Sequence, residues 1–214
     1  MGTVAERSDL VARAHPGDAY YREAAWPIRL VEQRRLAIIS RMAGDTRGRR
    51  VLEIGCGAGH VLRLFPDAAL TGVDVSTVAL AAAAANLDGY DVALVPDDAE
   101  TLLSVEGRYD VVICSEVLEH LDRPDQALAR IASLLAHGGR ALITVPNEPL
   151  VRVARAACRP FMRVDWGGEV NHLHTWSPRR FEPFLRQHLA IEEVAFAPGR
   201  LAPIRCCYRC RAHG

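Results

Sequence analysis

Short apolar runs alternate with helical runs from residue 50 to residue 145, and no other feature of the chain restricts its fold as strongly. Strands that are separated by helices need crossover connections, and such connections produce a parallel sheet with helices on both faces. The sequence therefore predicts an α/β, doubly wound fold. The runs predicted as buried strands are Arg50–Ile54, Ala69–Val73, Asp91–Val95, Tyr109–Cys114 and Arg140–Val145.

Helical spacing and capping residues predict the elements that surround these strands. Ser76 is a suitable N-cap for the alanine-rich run that follows it, because its hydroxyl can accept from a free backbone N–H of the first turn. The predicted helices are Tyr20–Met42, Ser76 to Ala85, Asp122–Leu135 with a stop at Gly138-Gly139, and Ser177 to about His188. The strands Ile191–Phe196 and Pro203–Arg211 are predicted to close the fold.

A glycine-rich turn follows the first predicted strand. Gly55, Gly57 and Gly59 alternate with other residues and are predicted to lead into a helix; such glycines let a ligand approach the bare backbone. Dinucleotide-binding turns use the spacing GxGxxG. Here position 60 is histidine, so the last glycine, which would allow close helix packing, is missing. The turn therefore predicts a nucleotide-like ligand, and its spacing makes a nicotinamide-dependent oxidoreductase a distant alternative.

Acidic and polar residues follow the next three strands. Asp74 ends the second strand about twenty residues after the first glycine, where a carboxylate can accept both hydroxyls of a ribose. Pro96–Glu100 follows the third strand, and a carboxylate there can accept from an adenine amino group. Ser115–Leu121 follows the fourth strand. All of these residues are predicted at the carboxyl ends of the strands, where doubly wound sheets bind ligands.

These four motifs, in this order and spacing, resemble the class I S-adenosylmethionine-dependent methyltransferases. The resemblance is strong over Arg50–Val145 and weaker in the flanks. It implies a seven-stranded Rossmann-like sheet in the order 3-2-1-4-5-7-6, with the last strand antiparallel and an N-terminal helical cap. It also implies S-adenosylmethionine as the cofactor and S-adenosylhomocysteine as the product.

The resemblance also assigns individual residues to the cofactor. The amino acid part lies on the glycine turn with its preceding acid Glu53, the ribose lies on Asp74, and the adenine lies near Val75, Asp98 and Ala99. The complete predicted set is Glu53, Gly55, Cys56, Gly57, Gly59, Asp74, Val75, Asp98, Ala99, Ser115 and Glu116.

One methyltransferase domain is expected over residues 1–214, since no internal repeat interrupts the pattern. Its expected parts are a helical extension or lid (1–47), a cofactor-binding core (48–146), a substrate-pocket insertion (147–177) and a closing helix with two strands (178–214).

Two histidines in the insertion are candidates for catalysis. His172 and His174 lie in Asn171–Ser177, and His172 matches a histidine of small-molecule members of the family with a "GH…FSP" segment. Histidine can remove a proton from an acceptor near neutral pH. The aromatic residues Tyr20, Tyr21 and Trp26 of the N-terminal helix are interpreted as packing residues, with substrate contact as the alternative.

A metal site is a second interpretation of the segment after the fourth strand. Glu116, Glu119 and His120 would share one face of a helix, and with His172 or His174 they could bind a divalent metal through mixed oxygen and nitrogen ligands. This pattern resembles the metal site of the small-RNA 3′-terminal 2′-O-methyltransferases. The basic RNA-binding domain of that family is not visible in the sequence.

The preferred function is the methylation of a small molecule, on oxygen. The alternatives are a metal-dependent 2′-O-methyltransferase of RNA 3′ ends and a non-catalytic protein that binds S-adenosylmethionine, because a fold alone does not establish catalysis. A small-molecule substrate is the expected partner, nucleic acid is not, and the sequence leaves the oligomeric state open.

Charge is distributed unevenly although the chain is neutral overall. Residues 1–50 carry ten arginines and six acidic residues, residues 51–147 carry five and 14, and residues 148–214 carry eleven and six. The neutral total argues against a general polyanion binder. The two basic flanks suit an acceptor with an anionic group, because the guanidinium fork matches carboxylates and phosphates.

Cysteine usage and hydropathy predict a cytoplasmic protein with no membrane span. The residues before Gly17 contain no apolar signal segment, and no apolar run approaches the length of a membrane span. Cys206, Cys207 and Cys210 lack the further ligands of a zinc site, so the cysteines are interpreted as structural thiols. All six are expected to be free: Cys56, Cys114, Cys158, Cys206, Cys207 and Cys210.

Overall fold

The protein contains a seven-stranded sheet in the order β3-β2-β1-β4-β5-β7-β6, as sequence analysis predicts. The computed structural model describes residues 8–10, 13, 25–158 and 172–213. Strand β7 is antiparallel to both of its neighbours, and the remaining pairs are parallel. The strands are β1 (Arg50–Ile54), β2 (Ala69–Asp74), β3 (Val92–Pro96), β4 (Tyr109–Ser115), β5 (Leu135–Pro146), β6 (Leu189–Gly199) and β7 (Ala202–Ala212).

Helices cover both faces of this sheet. Residues 25–158 and 172–213 contain five α-helices: α1 (Trp26–Ala43), α2 (Thr77–Asn86), α3 (Pro124–Leu134), α4 (Glu148–Cys158) and α5 (Pro178–Leu185). Consecutive residues of β1 point to opposite faces, so Val51 packs in the core under α1 and α2, and Leu52 packs in the core under α3 and α5. None of the described helices is long and apolar enough to cross a membrane.

Two predicted boundaries are wrong for identifiable reasons. The helix predicted to run to Leu135 ends at Leu134, and β5 begins at once, because Leu135 is buried and pairs with Tyr109. The predicted stop, Gly138-Gly139, therefore lies inside β5, where the register with β4 shifts.

The glycine turn does not lead into an α-helix either: only a single 3-10 turn, Leu62–Leu64, follows it.

Of the three aromatic residues that are predicted to pack in the N-terminal helix, the structure describes one. Tyr20 and Tyr21 lie outside the described residues, as does Asn171 of the insertion. Trp26 begins α1 and is 71% exposed, so the predicted packing role is wrong for this residue.

Five cysteines lie free and buried in the described core: Cys56, Cys114, Cys206, Cys207 and Cys210. Burial raises the pKa of every one of these thiols, and for the three in β7 it raises the pKa to about 12. Because the thiolate is the reactive form, a buried thiol with a high pKa reacts slowly.

We therefore expect at most one thiol of the folded protein, that of Cys158, to react rapidly with Ellman's reagent at pH 8. All six should react after unfolding in guanidinium chloride. Two or more rapidly reacting thiols in the folded state would contradict the buried positions of these side chains.

Candidate active site

A cavity of about 490 Å³ lies at the carboxyl edge of the sheet. One wall is the glycine turn, and the opposite walls are apolar side chains of α1 and α4, including Ile28, Val31, Val151 and Ala154. The polar floor comes from the end of β4 and the beginning of β7. The cavity is therefore enclosed by the predicted cofactor motifs on one side and by the basic flanks of the chain on the other.

The glycines of the turn have different roles. Gly55, Gly57 and Gly59 all have positive φ, at 69°, 52° and 79°. A Cβ on Gly57 would meet nothing within 4 Å, so the bare backbone at this position is open to a ligand. A Cβ on Gly59 would lie 2.8 Å from Leu87 Cδ1. Gly59 is therefore the close-packing glycine that the sequence interpretation counted as missing at position 60.

Asp74 connects the end of β2 to the glycine turn. Its Oδ2 accepts from the Gly57 N–H at 2.9 Å, and its Oδ1 accepts from the Ser76 N–H at 2.8 Å. Burial raises the pKa of this carboxyl. Ser76 also caps α2, as predicted, by accepting from the Ala79 N–H, and its hydroxyl donates to Asp9 of the N-terminal extension at 2.5 Å.

The residues predicted around the adenine follow the same edge of the sheet. Val75 is half-buried beside Asp74, and Ala99 packs partly against the core. Asp98 is exposed, and its Oδ1 accepts from the Glu100 N–H at 2.8 Å. None of these three residues lines the 490 Å³ cavity, and neither does Asp74.

A network of buried charges forms the floor of the cavity. Arg35 of α1 donates to Glu32 at 2.8 Å and to the Ser115 hydroxyl at the end of β4. Glu116 has a left-handed backbone (φ 59°) and pairs with Arg205 of β7, with 2.7 Å between Oε2 and Nε. The Glu116 carboxylate also accepts from Thr144 at 3.1 Å. The floor thus joins α1, β4, β5 and β7 through two arginine–glutamate pairs.

Glu53 lies beneath the glycine turn and is 2% exposed. Burial raises the pKa of its carboxyl well above the ordinary value, although the nearby charge of Arg35 opposes this effect. Its Oε2 has no hydrogen-bond partner among the described residues.

The backbone carbonyl of Glu119 fixes the part of the insertion that follows residue 171. It accepts from the N–H groups of Leu173 at 2.8 Å and of His174 at 3.1 Å. This attachment brings the ring of His172 to the ring of His120, with 4.7 Å between their centroids. The Nδ1 atom of His172 lies 2.5 Å from Oε1 of Glu148, at the beginning of α4. Both side chains are largely buried and line the cavity.

The two candidate catalytic histidines are separated by the structure. His172 lines the cavity, whereas His174 does not. His174 stacks on Trp176 at 4.9 Å, and its Nε2 lies 2.9 Å from the Leu121 carbonyl oxygen. Its ring is therefore directed to the loop that it stabilises.

The predicted helical face of Glu116, Glu119 and His120 does not exist. Glu116 has a left-handed backbone, and only Leu118–His120 forms a single 3-10 turn. The physical reason is that β4 ends at Ser115 and the Glu116 carboxylate turns to Arg205 and Thr144. Glu116 is consequently absent from the group that could hold a metal.

Glu119, His120 and His172 do come together in a metal-compatible arrangement. One ligand atom from each lies within 4.8 Å of the others. Glu119 is 1% exposed, and neither of its carboxylate oxygens has a hydrogen-bond partner among the described residues. Burial, followed by the charge of Glu116, raises the pKa of this carboxyl well above its ordinary value. An oxygen and two imidazole nitrogens suit several divalent transition metals.

Sequence interpretation missed several charged residues of the cavity, among them Arg35, Glu148 and Arg205. Arg35 lies inside a predicted helix, Arg205 lies inside a predicted strand, and Glu148 follows a predicted strand. Charged side chains at such positions are commonly exposed on the protein surface. The signal that could have identified Glu148 is its place right after β5, because carboxyl ends of strands carry the site. No local signal marks Arg35 or Arg205.

Comparison with known proteins identifies the family to which this chain is similar. The family described as "Methyltransferase domain" matches residues 28–188. Ubiquinone biosynthesis O-methyltransferase of Bordetella avium (strain 197N) is 32% identical over 130 residues, which are 57% of this chain and 53% of the relative. The enzyme of the same name from Aromatoleum aromaticum is 35% identical over 127 residues, 57% of this chain and 54% of the relative. The chain thus spans about half the length of these curated relatives.

A solved structure shares the fold over nearly the whole chain. The N-methyltransferase NodS from Bradyrhizobium japonicum WM9, in complex with S-adenosyl-L-homocysteine, has a TM-score of 0.71 and 22% sequence identity. The match covers 96% of this chain and 97% of NodS. At this identity the likeness concerns the fold alone.

Proposed function

Because this chain belongs to the class I S-adenosylmethionine-dependent methyltransferases, we propose that it moves a methyl group from S-adenosylmethionine to a hydroxyl oxygen of a small molecule. The pair formed by His172 and Glu148 at the cavity is the observation that carries the oxygen assignment, because a hydroxyl acceptor needs a group that removes its proton. The curated relatives are named as O-methyltransferases of ubiquinone biosynthesis, which agrees with an oxygen acceptor.

The residues of the carboxyl edge fit the cofactor. Asp74 has lone pairs left for two ribose hydroxyls in addition to the two backbone N–H groups that it accepts. The open space at Gly57 accommodates the amino acid part. The guanidinium of Arg35, which lies in the same cavity wall, suits the carboxylate of that part.

The chemistry then requires little from the chain. Bound here, S-adenosylmethionine supplies a methyl group that is already activated by its sulfonium. Glu148 accepts from Nδ1–H of His172 and so fixes the tautomer in which Nε2 is free to accept a proton. With the cofactor bound, Nε2 of His172 would be the atom that accepts the proton of the acceptor hydroxyl, and the cofactor would supply the methyl group. The apolar side chains of α1 and α4 exclude water from this step.

The decisive experiment is a methyl-transfer assay with labelled S-adenosylmethionine and a panel of small hydroxyl-bearing acceptors, combined with calorimetric binding of S-adenosylhomocysteine. We expect micromolar binding and transfer of label to at least one acceptor oxygen. Binding without transfer to any acceptor would favour the non-catalytic alternative, and the absence of binding would overturn the proposal.

A metal-dependent transfer is the second candidate, and the cluster of Glu119, His120 and His172 is the observation that favours it. These three residues would hold a divalent ion that acts as a Lewis acid toward the acceptor oxygen. The same assay distinguishes the two candidates by the addition of a chelator followed by manganese. Unchanged activity excludes the metal, whereas loss and recovery support it. A metal-dependent transfer to RNA 3′ ends would in addition require salt-sensitive RNA binding.

A further inference from the structure

Three arginines line the cavity, and two of them are already paired. Arg35 forms an ion pair with Glu32 at 2.8 Å, and Arg205 forms one with Glu116 at 2.7 Å. The guanidinium charges of both are therefore balanced by carboxylates of the cavity floor. The third arginine, Arg155, lies on α4.

Arg155 shares the cavity-facing side of α4 with apolar residues. Val151 and Ala154, four residues and one residue before it, line the same cavity, as the spacing of a helix allows. The Nε–H of Arg155 is buried and has no acceptor among the described residues. A buried donor without a partner is costly, and an acceptor supplied by a bound ligand would remove this cost.

None of the remaining acidic residues in the described lining of the cavity is paired with this guanidinium. Glu148 is engaged with His172 at 2.5 Å. Glu53 lies beneath the glycine turn, Glu119 lies beside His120 and His172, and both are almost completely buried. Arg155 is thus the arginine of this lining that forms no ion pair with the described residues, and it lies on the apolar wall that α1 and α4 form.

We propose that Arg155 binds an anionic group of the methyl acceptor and so selects acceptors that carry an oxyanion in addition to the hydroxyl. The inference rests on the proposed function and deepens it. The planar guanidinium offers parallel N–H donors to a carboxylate or a phosphate. An apolar wall around such a contact excludes water and strengthens it. The acceptor class is therefore a small molecule with an apolar body, a hydroxyl for methylation and a carboxylate or phosphate.

The test uses simple probes with protein loaded with S-adenosylhomocysteine. Binding of benzoate, phenyl phosphate and neutral benzamide is measured by calorimetry for the wild type, Arg155→Met and Arg152→Met. Arg152 is an exposed arginine of the same helix that does not line the cavity, so its replacement makes the same change in net charge. Thermal unfolding and the affinity for S-adenosylhomocysteine are measured for all three proteins.

We expect the wild type and Arg152→Met to prefer an anion over benzamide by about 10- to 100-fold, and Arg155→Met to lose the preference. The stronger of the two anions identifies the oxyanion. Equal binding of all three probes, no binding of any probe to the wild type, or a preference that survives in Arg155→Met would overturn the inference. Because S-adenosylhomocysteine binding is measured separately, a failure of the cofactor site itself is recognised as a failure of the proposed function.

Discussion

Replacing His172 with alanine is expected to lower kcat by roughly 100- to 10,000-fold, because the group that accepts the acceptor proton is removed. The affinity for S-adenosylhomocysteine should not change, since the His172 ring contacts His120 and Glu148 and not the glycine turn. Glu148→Gln should lower kcat by a smaller factor, because an amide no longer stabilises the protonated ring. The measurement is steady-state kinetics on an acceptor found in the panel.

A matched control is His137→Ala, which removes an exposed histidine near the opposite end of β5. This variant should retain the activity of the wild type. A kcat of His172→Ala close to the wild-type value would exclude His172 as the base. If chelation also abolishes activity, the loss in His172→Ala is attributed to the metal cluster, and added manganese should partly restore it.

Replacing Asp74 with alanine is expected to weaken binding of S-adenosylmethionine by more than about tenfold, because charge-assisted hydrogen bonds to the ribose hydroxyls are lost. The loss of a second interaction should weaken the binding further. Without the carboxylate, the Gly57 N–H loses its acceptor at 2.9 Å, and the glycine turn is no longer held in the conformation that receives the ligand. Calorimetric titration with S-adenosylhomocysteine measures the change directly.

Two further variants make this result specific. Asp74→Asn retains the shape of the side chain and should fold like the wild type, yet it should bind more weakly because the charge is lost. Asp88→Ala removes an exposed carboxylate just after α2 and should bind normally. Wild-type affinity in Asp74→Ala would refute the ribose assignment.

Local patterns predict much of the fold because each depends on neighbouring residues. The strands β1 to β4, the Ser76 cap and the strand order follow from apolar runs, a capping residue and the family resemblance. The position of Asp74 is predictable for the same reason, since a residue that ends a parallel strand lies at the carboxyl edge of the sheet, where ligands bind. The end of α3 is not predictable in this way, because the burial of Leu135 and its pairing with Tyr109 outweigh the glycine pair that follows.

The acceptor side of the site depends on contacts that no local pattern contains. His172 and His174 are equivalent by residue type and lie two positions apart, but the Glu119 carbonyl binds the backbone at 173 and 174 and turns only His172 to the cavity. Glu116 fits the spacing of the ExxEH pattern, but its carboxylate forms an ion pair with Arg205 of β7. Only the folded sheet brings these partners together.

The antiparallel direction of β7 has a consequence for biosynthesis. Because β7 reverses, Arg205 near its beginning pairs in register with Pro146 at the end of β5, and so reaches the carboxyl edge. Domains generally fold as units during synthesis, and β1 to β5 precede Arg205 in the chain. Glu116 can pair with Arg205 only when the β6–β7 hairpin is in place. The charge network of the cavity floor is therefore complete only after β7 has been synthesised.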